Sequence, residues 1–501
     1  MQPKILQLIA FSWSIPVWPT LLTLLAACLY LRGWRLARFT RPDKLPPWRA
    51  VCFLAGLFTI WFALASPVDA LDNFLILAHM TQHLLLISLA PPLLLLGRPV
   101  VPLLRGLPRA LVRDELAPWM NTAAFRFLQR LFASPLFGWL AFVTAIVVWH
   151  MPAAYELTLR SAFWHDFEHG CFLFSALAFW WYLIRPWPSH VRGTRWLILP
   201  YVIGANFMLG AVGLVITRSP SVIYSSYAAM PRIFSLGALT DQSLAGAEML
   251  FVGLITALAV LWPTLFDLLS ETPHRAERAA APAVRQRVLA LQRKRRDFAS
   301  ALTGTRPRRR RYTRLATYVV AILLISGLAI FSQESGDSDD DALCFRQPAG
   351  SFILSLFAST PLTPGETDFE VAVERPHGQG LITDANVKLL LTPAGGGDPI
   401  SVPATHHGPS KFLESASVTL PRSGNWRVTV TAVRGDELAK YSADLDVLPA
   451  DAVPSQRKWV WGEAGFVLLL FGLHQWRKHT YQRGLQSRAN AERRGVQATA
   501  A

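Results

Sequence analysis

Cysteine is scarce in this chain, with four in 501 residues. Cys28, Cys52 and Cys171 fall in apolar runs, and Cys344 stands alone in a polar segment. That pattern excludes a disulfide framework, and the missing C-x-x-C-H excludes covalent haem. Charge is also sparse, at 16% of residues, and methionine is rare, with seven in all and none between 333 and 457. No phosphate-binding glycine loop, dinucleotide glycine pattern, nucleophile elbow or H-E-x-x-H occurs. The closest approach to that last motif, "HDFEH" at 165–169, has the wrong order. Hydrolytic and nucleotide-dependent chemistry thus have no anchor, and the expectation is a protein that is not an enzyme. A basic leader with a small-x-small cleavage site is missing too, so the first apolar run is expected to be retained as a span.

Apolar residues are what the chain has, at 52%. Long runs lie near 8–31, 50–67, 74–96, 135–150, 163–184, 196–216, 242–268, 315–331 and 459–475. About 20 apolar residues cross a bilayer as a helix, so nine spans are expected. The net charge of +16 is not spread evenly. Segments 32–49, 98–130, 185–195 and 271–314 carry six, six, three and fourteen Lys/Arg, and the intervening loops few. Basic loops stay cytoplasmic, so the amino terminus is expected outside and the basic tail inside. The run "RPRRRRYTR" then anchors the chain near anionic headgroups. The partner for this charge is the lipid bilayer, with no nucleic acid.

The expected fold class is an all-α polytopic membrane bundle with a seven-span core, plus an Ig-like β-sandwich domain outside the cytoplasm, flanked by two further transmembrane helices. The expected units are a membrane domain over 1–270, a basic cytoplasmic linker over 271–314, and an eighth helix over 315–332. A β-domain over 333–457, a ninth helix over 458–476 and a basic tail over 477–501 follow. The β-domain opens on the acidic linker "ESGDSDDD". Alternation of period two then marks strands in "SFILSLFAS", "DFEVAVER", "NVKLLLTP", "ASVTLP", "NWRVTVTAV" and "AKYSADLDV", with turn residues between them.

Histidine in lipid demands a reason, because an unpaired polar group there is expensive. His79 and His83 sit four residues apart at the head of "HMTQHLLLISLAPPLLLLGRP". Residues at that spacing share a helix face. At ~1.5 Å per residue they lie roughly 9 and 15 Å below the outer surface. The fourth span ends at "WHMPAAY" with His150 and Met151, and the fifth begins at "HDFEH" with His165 and His169. Asp72, Glu168 and Asp241 reach the same level, where they would orient the imidazoles; Asp241 read alone is equally a helix N-cap. Imidazole with thioether at an outer membrane face favours copper over zinc. The metal ligands expected are therefore His79, His83, His150, His165, His169 and Met151. A membrane haem protein passing electrons, and a copper transporter, remain open as alternatives.

These motifs, with "LTDQSLAGAEM" at 239–249, resemble the CtaG-type cytochrome c oxidase assembly factors associated with caa-type oxidases. The resemblance covers about residues 10–270. It implies a bacterial inner-membrane protein, a role in maturing a haem–copper oxidase, partners among cytochrome c oxidase subunits, and supply of copper to them. The segment after 333 resembles, more loosely, YtkA-like and FixH-like β-domains through "PLTPGETDFEVAV", "DANVKLLLTP" and "SGNWRVTVTAV". Such domains carry methionines where this chain has "PATHHGPSKF". His406 and His407 there, with His377, form the candidate secondary metal site; exposed loop histidines are the plainer reading.

Overall fold

The computed structural model describes residues 9–186, 195–234, 236–269, 341–359, 362–376, 380–405 and 412–449. The linker over 271–314, the two helices expected over 315–332 and 458–476, the tail, and His377, His406 and His407 lie outside the described residues.

The amino-terminal region is helical and the carboxy-terminal region is antiparallel β-sheet. The helices that position the site are α1 (Val17–Thr40), α2 (Pro47–Ala65), the short α3 (Pro67–Asp72), α4 (Ile76–Leu84) and α5 (Ala90–Leu96). They continue with α6 (Val100–Gly106), α7 (Ala123–Phe132), α8 (Pro135–Trp149), α9 (Pro152–Leu159) and α10 (Ala162–Ile184). The last are α11 (Ile198–Arg218), α12 (Ser225–Ala229) and α13 (Ala238–Leu269). Six helical stretches among the described residues are long and apolar enough to cross a membrane. They number seven if α7 and α8, bent by 66° where they meet, act as one span. Large apolar side chains remain exposed along these helices, among them Leu22 and Leu25 on α1, Phe207 on α11, and Phe251 and Trp262 on α13. A perimeter of this kind suits lipid rather than water.

α4 and α5 form one broken span. Pro91 and Pro92 have no N–H to donate, and the backbone widens into a π-turn over Leu85–Leu89. The Ile87 carbonyl, which would bond the missing Pro91 N–H, accepts instead from the Trp180 indole of α10 at 2.9 Å. The break is thus repaired by a neighbouring helix. Small residues bring other backbones close. A Cβ on Gly33 would run into the Pro102 carbonyl, and one on Gly106 into the Leu29 carbonyl, so α1 and α6 cross at glycine. Gly213 and Gly246 do the same for α11 and α13.

The β region has two four-stranded sheets among the described residues. One has the order β1 (Asp341–Ala349), β2 (Phe352–Ser359), β3 (Gly365–Glu374), β6 (Glu414–Leu420). The other runs β5 (Ile400–Pro403), β4 (Asn386–Pro393), β7 (Gly424–Arg434), β8 (Glu437–Val447). Leu354, Phe369 and Val371 of the first sheet and Leu389, Val428 and Val430 of the second belong to one buried cluster. The six strands expected from alternation are present, and two more appear. β1 begins at the end of the acidic "ESGDSDDD", and its "FRQPA" breaks the alternation. β5 is only four residues long, too short to announce itself.

The β region seats on one end of the bundle. Phe74, Leu75, Ala78 and Ile233 pack with Phe357, Leu381, Phe412 and Leu413. Around that apolar patch, the Arg232 backbone N–H donates to Glu374 Oε1 at 2.7 Å, and Arg346 pairs with Glu374 Oε2 at 2.9 Å.

The Gly246→Val substitution is expected to destabilise the bundle by ~1–3 kcal/mol, because the added carbons meet the Gly213 carbonyl and the Thr217 hydroxyl. Thermal unfolding of the detergent-solubilised protein checks this. An unchanged midpoint would mean that the α11–α13 crossing is not close-packed.

Candidate metal centre

Two helices supply the centre of the site. α4 presents His79 and His83 on one face, and α10 presents His165 and His169 on one face. Ring centroids are 4.4 Å apart within the first pair and 4.3 Å within the second. Across the helices, His79 faces His165 at 5.0 Å and His83 faces His169 at 5.4 Å. The four rings therefore make two rungs of a ladder. His150, at the carboxy end of α8, lies 6.1 Å from His83.

Three hydrogen bonds fix how the rings are used. His150 Nδ1 lies 2.7 Å from the Ile146 carbonyl, which can only accept, so Nδ1 carries the proton and Nε2 is left bare. Tyr227 gives its one hydroxyl hydrogen to the Asp72 carbonyl at 2.6 Å. His79 Nδ1, 3.2 Å from the same hydroxyl oxygen, is then the donor, and His79 Nε2 is bare. Burial pushes the Tyr227 phenol well above its ordinary range, so it remains a donor. Tyr155 lies over His79 with ring centroids 5.0 Å apart and stacks on Tyr224, whose hydroxyl donates to the His150 carbonyl.

Glu168 occupies the middle. It is fully buried, with Oε2 3.6 Å from His79 Nε2 and Oε1 3.6 Å from His83 Nε2. Asp72 Oδ2 is 3.6 Å from His165 Nε2. Those separations exceed a hydrogen bond. Among the described residues no hydrogen bond reaches either oxygen of Glu168, either nitrogen of His83 or His169, or Nε2 of His79, His150 or His165. His83 and His169 each carry one ring N–H when neutral, and the lone pairs that remain around Glu168, buried and without donors, are such as a cation would satisfy. His79, His83 and His169 offer ligand atoms within 4.8 Å of one another, and Asp72, His79 and His165 form a second such set.

The other sequence candidates fall elsewhere. Met151 is 54% exposed at the cap of α9 and does not join the buried rings. Asp241 stands in the first turn of α13, yet caps a different helix: its carboxylate accepts from the Ile76 N–H at 2.8 Å and the Leu77 N–H at 3.2 Å. These are orphan donors at the start of α4, where Leu75 offers no cap. Asp241 thus sets the position of the helix that bears His79 and His83. Sequence reasoning missed Tyr227, Tyr155, Gln82 and Gln242. Gln82 donates to the Ala63 carbonyl and to Asp69, and Gln242 ties the Ile223 N–H to the Ile216 and Ser221 carbonyls. Glutamines four residues or fewer from the motif residues were the available signal.

Residues 28–271 match the family described as cytochrome c oxidase caa3 assembly factor. The match spans every residue of the histidine cluster. An uncharacterized protein of Mycobacterium bovis is 24% identical over 255 residues, covering 46% of this chain and 36% of that protein. One of Mycobacterium leprae is 24% identical over 232 residues, covering 43% and 34%. The chain matches about a third of the length of these curated relatives. No solved structure matches the chain.

Replacing Asp241 with Ala is expected to cost ~1–3 kcal/mol, since it leaves the buried Ile76 N–H and the part-buried Leu77 N–H without an acceptor. A lowered unfolding midpoint checks it, and an unchanged one would remove the cap from the architecture.

Proposed function

We propose that the chain is a cytochrome c oxidase assembly factor that holds copper in the histidine cluster and passes it to oxidase subunits. The observation that carries this reading is the group of bare, buried imidazole nitrogens around Glu168. Neutral imidazole suits copper, and a carboxylate beside the rings balances charge brought into a dry interior. The family match supports an oxidase as the destination. Copper is cargo here, bound and released, and no small molecule is turned over.

The orientation that goes with this reading follows the basic loops. The amino terminus and β region face outward from a bacterial inner membrane, and the tail lies in the cytoplasm. The cluster then opens toward the outer face, beneath the β region. Phe172, Phe142, Ile146 and Ile87 belong to one buried apolar cluster, and the cavity lined by Ile87, Phe142, Ser88 and Asn206 has no histidine, methionine or carboxylate in its wall. That packing favours loading and unloading from one side over transport across the membrane. The four rings, with Glu168 among them, sit too close to admit a flat macrocycle between facing histidines, which disfavours haem.

The test is copper binding by the purified full-length protein and by the His83→Ala variant. The wild type is expected to bind, and the variant to bind more than ~10-fold more weakly. Equal affinity in both would overturn the assignment. Oxidase from cells lacking the protein is expected to retain haem and lose copper.

A further inference from the structure

The histidine ladder has two rungs, and each rung has its own carboxylate oxygen. On the outer rung, His79 and His165 face each other and Asp72 stands beside His165. On the inner rung, His83 faces His169, with the bare Nε2 of His150 at the flank. Glu168 spans the two: Oε2 is directed at His79 and Oε1 at His83, both at 3.6 Å. His79 has only one bare nitrogen, because Nδ1 is committed to Tyr227. It therefore serves one ion at a time, and a single ion at the His79, His83 and His169 set would leave Asp72 and His165 unused.

We propose that the cluster is a two-ion site, with an outer copper held by Asp72, His79 and His165, an inner copper held by His83 and His169, and Glu168 bridging them with one oxygen each. The inference rests on the reading that this cluster binds copper. Counter-charge is available at both positions. Asp72 is 2% exposed and Glu168 is fully buried. No Lys or Arg among the described residues pairs with either carboxylate. Asp72 at the outer position and Glu168 between the two give each cation a carboxylate oxygen as counter-charge. Reach supports it as well. The rungs are one i,i+4 step apart on each helix, with ring centroids 4.4 Å apart on α4 and 4.3 Å apart on α10. At that spacing two cations need an anion between them, and Glu168 is where that anion would have to be. The outer position is also the more accessible one: the His165 side chain is 21% exposed, while the His83 side chain is 3% exposed. Copper would enter at Asp72 and His165 and fill the inner rung beyond them.

The experiment is metal analysis of full-length wild type and variants loaded with copper(II) and freed of excess. Two equivalents per chain are expected for the wild type. Asp72→Asn and His165→Ala are each expected to hold one, and His169→Ala one. One equivalent in the wild type, or wild-type content in both outer variants, would overturn the two-ion site while leaving copper binding intact. No copper at all would overturn both readings. A second measurement needs no variant: electron paramagnetic resonance of the copper(II)-loaded wild type. A dipolar-coupled spectrum is expected from two ions that share the Glu168 carboxylate, and a spectrum of isolated copper would overturn the proposal.

Discussion

Lone pairs buried without donors are the constraint around which this bundle is organised. Unpartnered ring nitrogens on five histidines and the carboxylate of Glu168 meet in one buried cluster. Such a group persists only if neighbouring elements hold it, because each unmatched polar atom opposes folding by ~1–3 kcal/mol. The holding groups can be named. Asp241 caps α4 from α13, the Ile146 carbonyl fixes His150, and Tyr227 fixes His79. Trp180 repairs the break behind His83. Removing the histidines would leave these devices with little to position.

The same end of the bundle carries the β region. Tyr227 and Arg232 belong to one short segment between α11 and α13. Tyr227 reaches inward to His79, and Arg232 donates outward to Glu374. One loop thus touches both the cluster and the domain above it. Phe74 and Leu75, next to Asp72, pack under Phe412 and Leu413. Any movement of the β region on its seat would be felt first by the residues at the outer rung. That placement gives the fusion of the two regions a physical logic: a domain held over the mouth of a site keeps its local concentration there high.

Much of this was legible from residue spacing. The i,i+4 pairs 79/83 and 165/169 had to share helix faces, and alternating basic loops put their spans at a common level. Period two marked six of the eight strands. What spacing left open was partnership. Met151 follows His150 directly, but the helix ends between them and the thioether points out to the surface. Asp241 looked like a cap for its own helix, and the helix it caps lies 165 residues away in sequence. Spacing marks Glu168 as a group that orients the imidazoles, and only the fold shows that its two oxygens address two rings on another helix.

Sequence by itself determined the membrane bundle, the β region and the residue types that crowd one level of the spans. Apolar length, charge alternation and helical period are local properties, and they survive without knowledge of neighbours. Tertiary structure decided which nitrogens are bare, which carboxylate lies between them, and that the four central imidazoles form two rungs. Those outcomes depend on how α4 and α10 face each other and on a hydroxyl supplied by Tyr227 from a distant loop. Hydrogen-bond commitment is a property of the assembled neighbourhood, so no pattern along the chain could have fixed it.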